Sequence, residues 1–123
     1  MNINEPTKDQ IDRIKAQFPD RSLHLVEAVD GEDVYSFVMT GPSETEYKKY
    51  SDEVLDGREA KNEKLQNEAI RKALYHAILA QVRHPEREEA KRIFAMRPAM
   101  IEQFAATLRE SAGSNIEVRS KKL

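Results

Sequence analysis

Residues Gly31 to Tyr50 read GEDVYSFVMTGPSETEYKKY. The stretch holds a strand, its stop and a helix start, in that order. Between Asp33 and Thr40, the residues Tyr35, Phe37 and Met39 fall on one face of an extended chain. Gly41-Pro42 stops the strand. Ser43-Glu44-Thr45-Glu46 then fits a capping box, which opens a helix by satisfying its first free backbone donors. Tyr47, Tyr50 and Val54 share one stripe of that helix. No catalytic group stands in the stretch, so it speaks to the scaffold and not to a reaction.

Upstream, Thr7-Lys8-Asp9-Gln10 is another capping box, and Ile11, Ile14 and Phe18 recur at helical spacing. The spacing predicts a short helix to about Phe18, ended by Pro19-Asp20. Ser22 to Ala28 suits a strand with Leu23 and Leu25 on one face and His24 and Val26 on the other. Asp30-Gly31 signals a tight turn, which makes the two strands a hairpin. A lone hairpin is marginal in water, so a helix or another chain must cover it.

Downstream, Asp56-Gly57 reads as a break or weak point, and a long helix is predicted from about Glu59 to Arg83. Its first half is polar, while its second half carries Ile70, Leu74, Ala77, Ile78 and Val82. His84-Pro85 ends it. Glu86 to Met96 forms a short helix presenting Ala90, Ile93 and Phe94. Arg97-Pro98 breaks that helix, and Pro98 suits the first position of a last one, which shows Ile101, Phe104, Ala105 and Leu108 and is capped by Gly113. The expected fold is α+β and mostly α: a short N-terminal helix and a β-hairpin followed by a bundle of about four helices. Residues 1–113 should form one small domain, and residues 114–123 a mobile tail.

Composition narrows the function classes. Twenty basic and 22 acidic residues give a net charge of −2, with both signs interspersed, which argues against a protein that binds nucleic acid by neutralising phosphates. There is no cysteine, hence no disulfide, thiolate metal site or cysteine nucleophile. No apolar run approaches the length of a membrane span, and the polar start resembles no signal peptide, so a soluble intracellular protein is expected.

The groups able to do chemistry are scattered. His24, His76 and His84 lie on a strand, within a helix and at a helix end, with no HExxH pair among them. Glu44, Glu46, Asp52, Glu53 and Asp56 cluster on one short helix, where a solvated face explains them, and Glu46 already serves the capping box. Arg58, Lys61, Lys64, Arg71 and Lys72 are interleaved with Glu59, Glu63 and Glu68, as on a helix laced with ion pairs. The glycines stand singly at breaks and build no phosphate loop. Neither an enzyme nor a cofactor or metal site is expected.

The apolar stripes of the last helices are the remaining candidates for function. Ile70, Leu74 and Ile78, then Phe94, then Ile101, Phe104 and Leu108, are mostly core. Helices joined by short Pro-marked connections can nevertheless leave a groove between them, and such a groove would accept an apolar helix from another chain. Met96, Met100 and Phe104, near Pro98, are the adaptable residues expected to line it.

In this order the features resemble the tail assembly chaperones of long-tailed bacteriophages. In that family a strand like VYSFVM leads into a Pro-x-x-x-Glu-Tyr helix start, matched by Pro42, Glu46 and Tyr47. A helix closes on a Pro followed by acids, matched by Pro85, Glu86 and Glu88, and a Pro-started helix ends on Gly, matched by Pro98 and Gly113. The resemblance covers roughly residues 7–113. It implies a non-enzymatic protein of the host bacterial cytoplasm that forms homo-oligomers. Such a protein coats the long, apolar, helical tape measure protein until tail tube protein polymerises around it. It further implies a longer form made by ribosomal frameshifting, for which codons at Lys121-Lys122 could supply the slippery run. The rival expectation is an oligomerising virion or regulatory module without chaperone activity.

Overall fold

Both capping boxes form. The Thr7 hydroxyl accepts from the Gln10 N–H at 3.1 Å while Gln10 Oε1 accepts from the Thr7 N–H at 2.8 Å, and helix α1 runs over Lys8–Gln17. The Ser43 hydroxyl accepts from the Glu46 N–H at 3.2 Å while Glu46 Oε1 accepts from the Ser43 N–H at 3.1 Å, and helix α2 runs over Glu44–Arg58. The computed structural model describes residues 1–113 and 118–122. Within them the fold mixes helices with a four-stranded sheet. The expected mobility of residues 114–123 falls partly outside the described residues; Val118–Lys122 form neither helix nor strand.

The hairpin is present and is the heart of the sheet. Strand β2 (Leu23–Asp30) pairs antiparallel with β3 (Asp33–Thr40) along its full length. Gly31 alone in the connecting loop has positive φ (62°), the requirement at the first central position of a II′ turn, whose twist matches the two strands. Two further strands went unforeseen. β1 (Asn2–Ile3) pairs parallel with the start of β3, and β4 (Val82–His84) pairs antiparallel with its end. The loose lead and the helix end predicted there are therefore sheet, and the order of elements differs from hairpin-then-helices. Both strands are too short to show a periodicity of their own, and each is held by backbone bonds to β3.

Those additions make β3 a central strand, and every residue from Tyr35 to Thr40 is buried. The pairing on both edges, and not an unbroken apolar run, accounts for this burial, since the polar Ser36 and Thr40 are buried along with the apolar residues. Tyr35, Phe37 and Met39 join the main core with Leu74, Ile78 and Leu79 of α3 (Glu63–Gln81). The same core takes Ala90, Ile93 and Phe94 of α4 (Arg87–Met96), Met100 and Ile101 of α5 (Met100–Gln103), Phe104, and Leu108 of α6 (Ala105–Ser111). Val38 and Thr40 face the other way. There Arg83 Nε donates to Thr40 Oγ1 at 3.1 Å, and the Arg83 guanidinium lies 4.1 Å from the ring centroid of Phe18, the residue that follows α1. The bundle expected from the apolar stripes is instead a helical layer packed on the Tyr35, Phe37 and Met39 face of β3.

The helix boundaries also differ. Gly57 does not break the chain: α2 passes through it to Arg58, and the turn to α3 spans residues 59–62, closed by Asn62 Oδ1 accepting from the Leu65 N–H at 2.9 Å. Gly57 is buried because α3 crosses it closely; a Cβ there would stand 2.9 Å from the Ala69 Cβ. The missing side chain serves helix contact, a use that sequence does not distinguish from a break. Gly57→Val should pry α2 from α3 and cost roughly 1–2 kcal/mol, overpacking outweighing the gain in helix propensity. Urea unfolding followed by circular dichroism measures this, and an unchanged midpoint would refute the close contact. The last predicted helix divides at Phe104 into α5 and α6, and Pro98 precedes the N-cap Ala99 instead of occupying the first helical position.

Candidate functional site

Strand β2 has a partner on one side only. The Gly41 N–H donates to the Ser22 carbonyl at 2.9 Å, which fixes the alternation of the antiparallel ladder. His24, Val26, Ala28 and Asp30 therefore bond to β3, opposite Met39, Phe37, Tyr35 and Asp33. The backbone N–H and C=O groups of Leu25, Glu27 and Val29 point to the other edge, and among the described residues no strand covers them. Their side chains lie on the sheet face turned away from the main core, where Leu25 is 56% exposed and Val29 71%. Native proteins usually protect such an edge with charge, proline or a bulge. Here Glu27 is the one charge between the two exposed apolar residues.

Along this edge runs a cleft of about 640 Å³. One wall is Val26 to Asp30 of β2; the other is Met96, Pro98 and Ala99 with Gln103 and Thr107; Met100 and Phe104 lie at its floor. The end nearest the hairpin turn is strapped by an ion pair, Arg97 Nε to Asp30 Oδ2 at 2.9 Å. An exposed pair of this kind adds little stability, but it fixes the distance between strand and helix junction.

Of the residues predicted to bind a partner, Met96, Met100 and Phe104 do line one cleft. Its opposite wall is strand β2, not a second helix. Leu74, Ile78 and Leu108 are buried in the main core, Ile70 is half-buried on α3, and Phe94 and Ile101, largely buried, line a separate cleft of about 340 Å³ between α3 and the α4–α5 junction. Met96 alone of the set is freely exposed, at 45%. Sequence reasoning missed the β2 wall. The available signal was the exposed parity of β2, where Leu25 and Val29 are apolar although one face of an edge strand ordinarily turns polar.

The residues of the family pattern are mostly structural. Pro85 is buried and follows a cis peptide bond from His84. Gly113 follows α6 with a φ of 100°, Pro42 precedes the α2 cap, and Tyr47 lies exposed beside Tyr50 with ring centroids 6.1 Å apart. Glu46 does more than cap. Its carboxylate also accepts from Arg21 Nη2 and, at 3.1 Å, from Gln81 Nε2. Arg21 in turn donates to Gln81 Oε1 at 3.0 Å and, through Nε, to the Gly41 carbonyl at 2.8 Å. The network ties the end of β3 to α2 and α3. Burial pushes the Glu46 carboxyl up, but the Ser43 backbone and hydroxyl, the Gln81 amide and the Arg21 charge together hold it below the usual range. Burial, with the neighbouring Arg21 charge, likewise draws the Arg83 guanidinium down, against the pull of Glu46.

The histidines stand apart. His24 Nε2 lies 3.0 Å from Ser22 Oγ, His76 Nδ1 3.7 Å from a Glu53 carboxylate oxygen, and His84 Nε2 2.8 Å from the Asn4 carbonyl. Among the described residues no group of three His, Asp or Glu side chains is arranged to hold a metal ion, and no helix is long and apolar enough to cross a membrane. Among the described residues, too, no buried side-chain nitrogen or oxygen lacks a hydrogen-bond partner. The chemistry the cleft offers is that of apolar side chains, the Glu27 carboxylate, the Asp30–Arg97 ion pair, the uncharged polar groups of Gln103 and Thr107, and an unpaired strand edge. No protein-family model, characterised protein or solved structure matches this chain.

Proposed function

We propose that the protein is a non-catalytic binding protein of the tail-assembly-chaperone type. It holds an apolar stretch of a long tape-measure-like partner in solution within the host cytoplasm and releases it as tail tube subunits assemble. The observation that carries this reading is the open cleft on β2, with exposed Met96 on its rim and apolar Met100 and Phe104 beneath. Methionine suits a surface that must take many apolar sequences, because its side chain is unbranched and polarizable. Such a cleft, repeated over many copies on one client, needs only modest affinity per copy. The highly charged outer surface, with 34% charged residues in the chain, keeps the loaded assembly soluble.

Co-expression with a tape-measure-like protein from the same gene neighbourhood tests the proposal: the client should move from the pellet to the soluble fraction. Met96→Glu should abolish that effect while leaving the thermal midpoint nearly unchanged, because Met96 is 45% exposed. Leu55→Glu, on exposed α2 and away from the cleft, should leave both client solubility and stability as they were. A client that precipitates with or without the protein would sink the reading. The uncovered edge of β2 favours a second reading, an oligomerising virion or regulatory module, which predicts the protein in purified particles.

A further inference from the structure

We infer that the cleft takes its client as an extended strand added to the free edge of β2, and not as a helix. The inference rests on the client-binding reading and specifies its mode. The unpaired backbone groups of Leu25, Glu27 and Val29 lie along one wall of the cleft, and Met100 and Phe104 lie beneath it. A helix satisfies its own backbone and would leave these donors and acceptors facing an apolar surface. An extended segment pairs with them, and its alternate side chains enter the cleft beside Val26 and Ala28. The other side chains fall beside Leu25, Glu27 and Val29 and cover the two exposed apolar residues of β2.

The charge of the site sets the chemistry of the occupant. Asp30 is matched by Arg97, but the exposed Glu27 carboxylate has no ion-pair partner among the described residues. The segment it fits is extended, apolar at alternate positions, and carries a lysine or arginine opposite Glu27. A second copy of β2 is a poorer match. Antiparallel self-pairing centred on Leu25, Val26 or Glu27 sets Leu23, Leu25 or Glu27 itself opposite Glu27; the register centred on His24 sets Arg21 there, but that guanidinium is already held by Glu46, Gln81 and the Gly41 carbonyl. The segment therefore comes from a different chain.

The test uses the whole protein and the end-blocked peptide VTVKVTV as probe. Paired antiparallel with its lysine opposite Glu27, the peptide sends its valines into the cleft. Its threonine and lysine N–H groups then face β2, and its valine N–H groups face away. Methylating the nitrogens that face β2 should weaken binding at least about tenfold; methylating the valine nitrogens should change it less than about threefold. Amide exchange at Leu25, Glu27 and Val29 should slow on binding. Glu27→Lys should reverse the preference, by roughly threefold or more, toward a peptide with glutamate in place of its lysine. Equal loss from both methylation patterns, or β2 amides already protected by self-association without peptide, overturns strand addition. If a helix-forming peptide of the same apolar content binds more tightly with no protection at β2, the client-binding reading survives and this mode of binding falls. If the protein binds neither peptide and leaves the co-expressed client insoluble, both fall.

Discussion

Phe37→Ala should cost about 3–5 kcal/mol, the range for truncating a large aromatic in a packed core. Phe37 has no exposed surface. Its ring stacks on Phe94 at 5.5 Å between centroids with planes 8° apart, and meets Phe104 edge-on at 5.1 Å; Phe94 and Phe104 are themselves edge-on at 5.8 Å. Removing the ring takes one aromatic contact from each neighbour and opens a cavity where strand and helices meet. The backbone of β3 cannot collapse into that space, because it is bonded on one side to β2 and on the other to β1 and β4. A domain of this size is stable by only about 5–15 kcal/mol, so the variant should unfold at a temperature lower by roughly 10–20 °C or fail to accumulate at all. Calorimetry or urea titration reads the loss. Phe94 and Phe104 belong to α4 and the α5–α6 junction, so the variant should also loosen the cleft floor. A midpoint within a few degrees of the parent would mean that the aromatic cluster does not hold strand to helices.

How much of this was legible in the sequence follows the range of the interactions involved. Both capping boxes involve residues three apart, and both were readable to the residue. The hairpin was readable as well, since Asp30-Gly31 and the flanking alternation are local, although β2 runs on to Asp30, two residues past the expected Ala28, and the loop is Gly31-Glu32. β1 and β4 were not readable, because nothing within Asn2–Ile3 or Val82–His84 states that β3 lies alongside. Their pairing is a property of β3, where the sequence marks the face of Tyr35, Phe37 and Met39 as covered, while Ser36 and Thr40 give no sign that the other face is buried too. Gly57 was misread for the same reason. A glycine that ends a helix and a glycine that lets another helix approach are identical in one dimension. At the cleft, the sequence pointed to Met96, Met100 and Phe104 from their chemistry, but the opposite wall depends on which edge of the sheet is left unpaired. That edge was settled by β1 and β4 taking the other side of β3.

Glu46→Ala tests the part-buried polar network that joins β3 to α2 and α3, and at neutral pH it should cost about 2–4 kcal/mol. The carboxylate accepts from the Ser43 backbone, from Arg21 and from Gln81, and Gln81 is only 1% exposed. Its loss removes a charge-assisted bond and half a capping box, and strands a buried amide donor and a half-buried guanidinium. The effect should also depend on pH in a defined direction. Because the folded protein holds Glu46 below the usual carboxylate range, the unfolded chain takes up the proton more readily. The contribution is therefore complete above the unfolded carboxyl value, near pH 4.5, and is lost as pH falls through the lower folded value. Unfolding free energies of the parent and of Glu46→Ala should differ most from pH 7 down to about 5 and converge at still lower pH. Glu89 is also held low, by Arg92 first and Asn4 second, but it is present in both proteins and cancels in the difference. A gap that stays constant from pH 7 into the acid range would show that the Glu46 charge contributes nothing, and that the loss in the variant comes from packing alone. A gap that closes on acidification assigns the join between β3, α2 and α3 to an ionised carboxylate held by Ser43, Gln81 and Arg21.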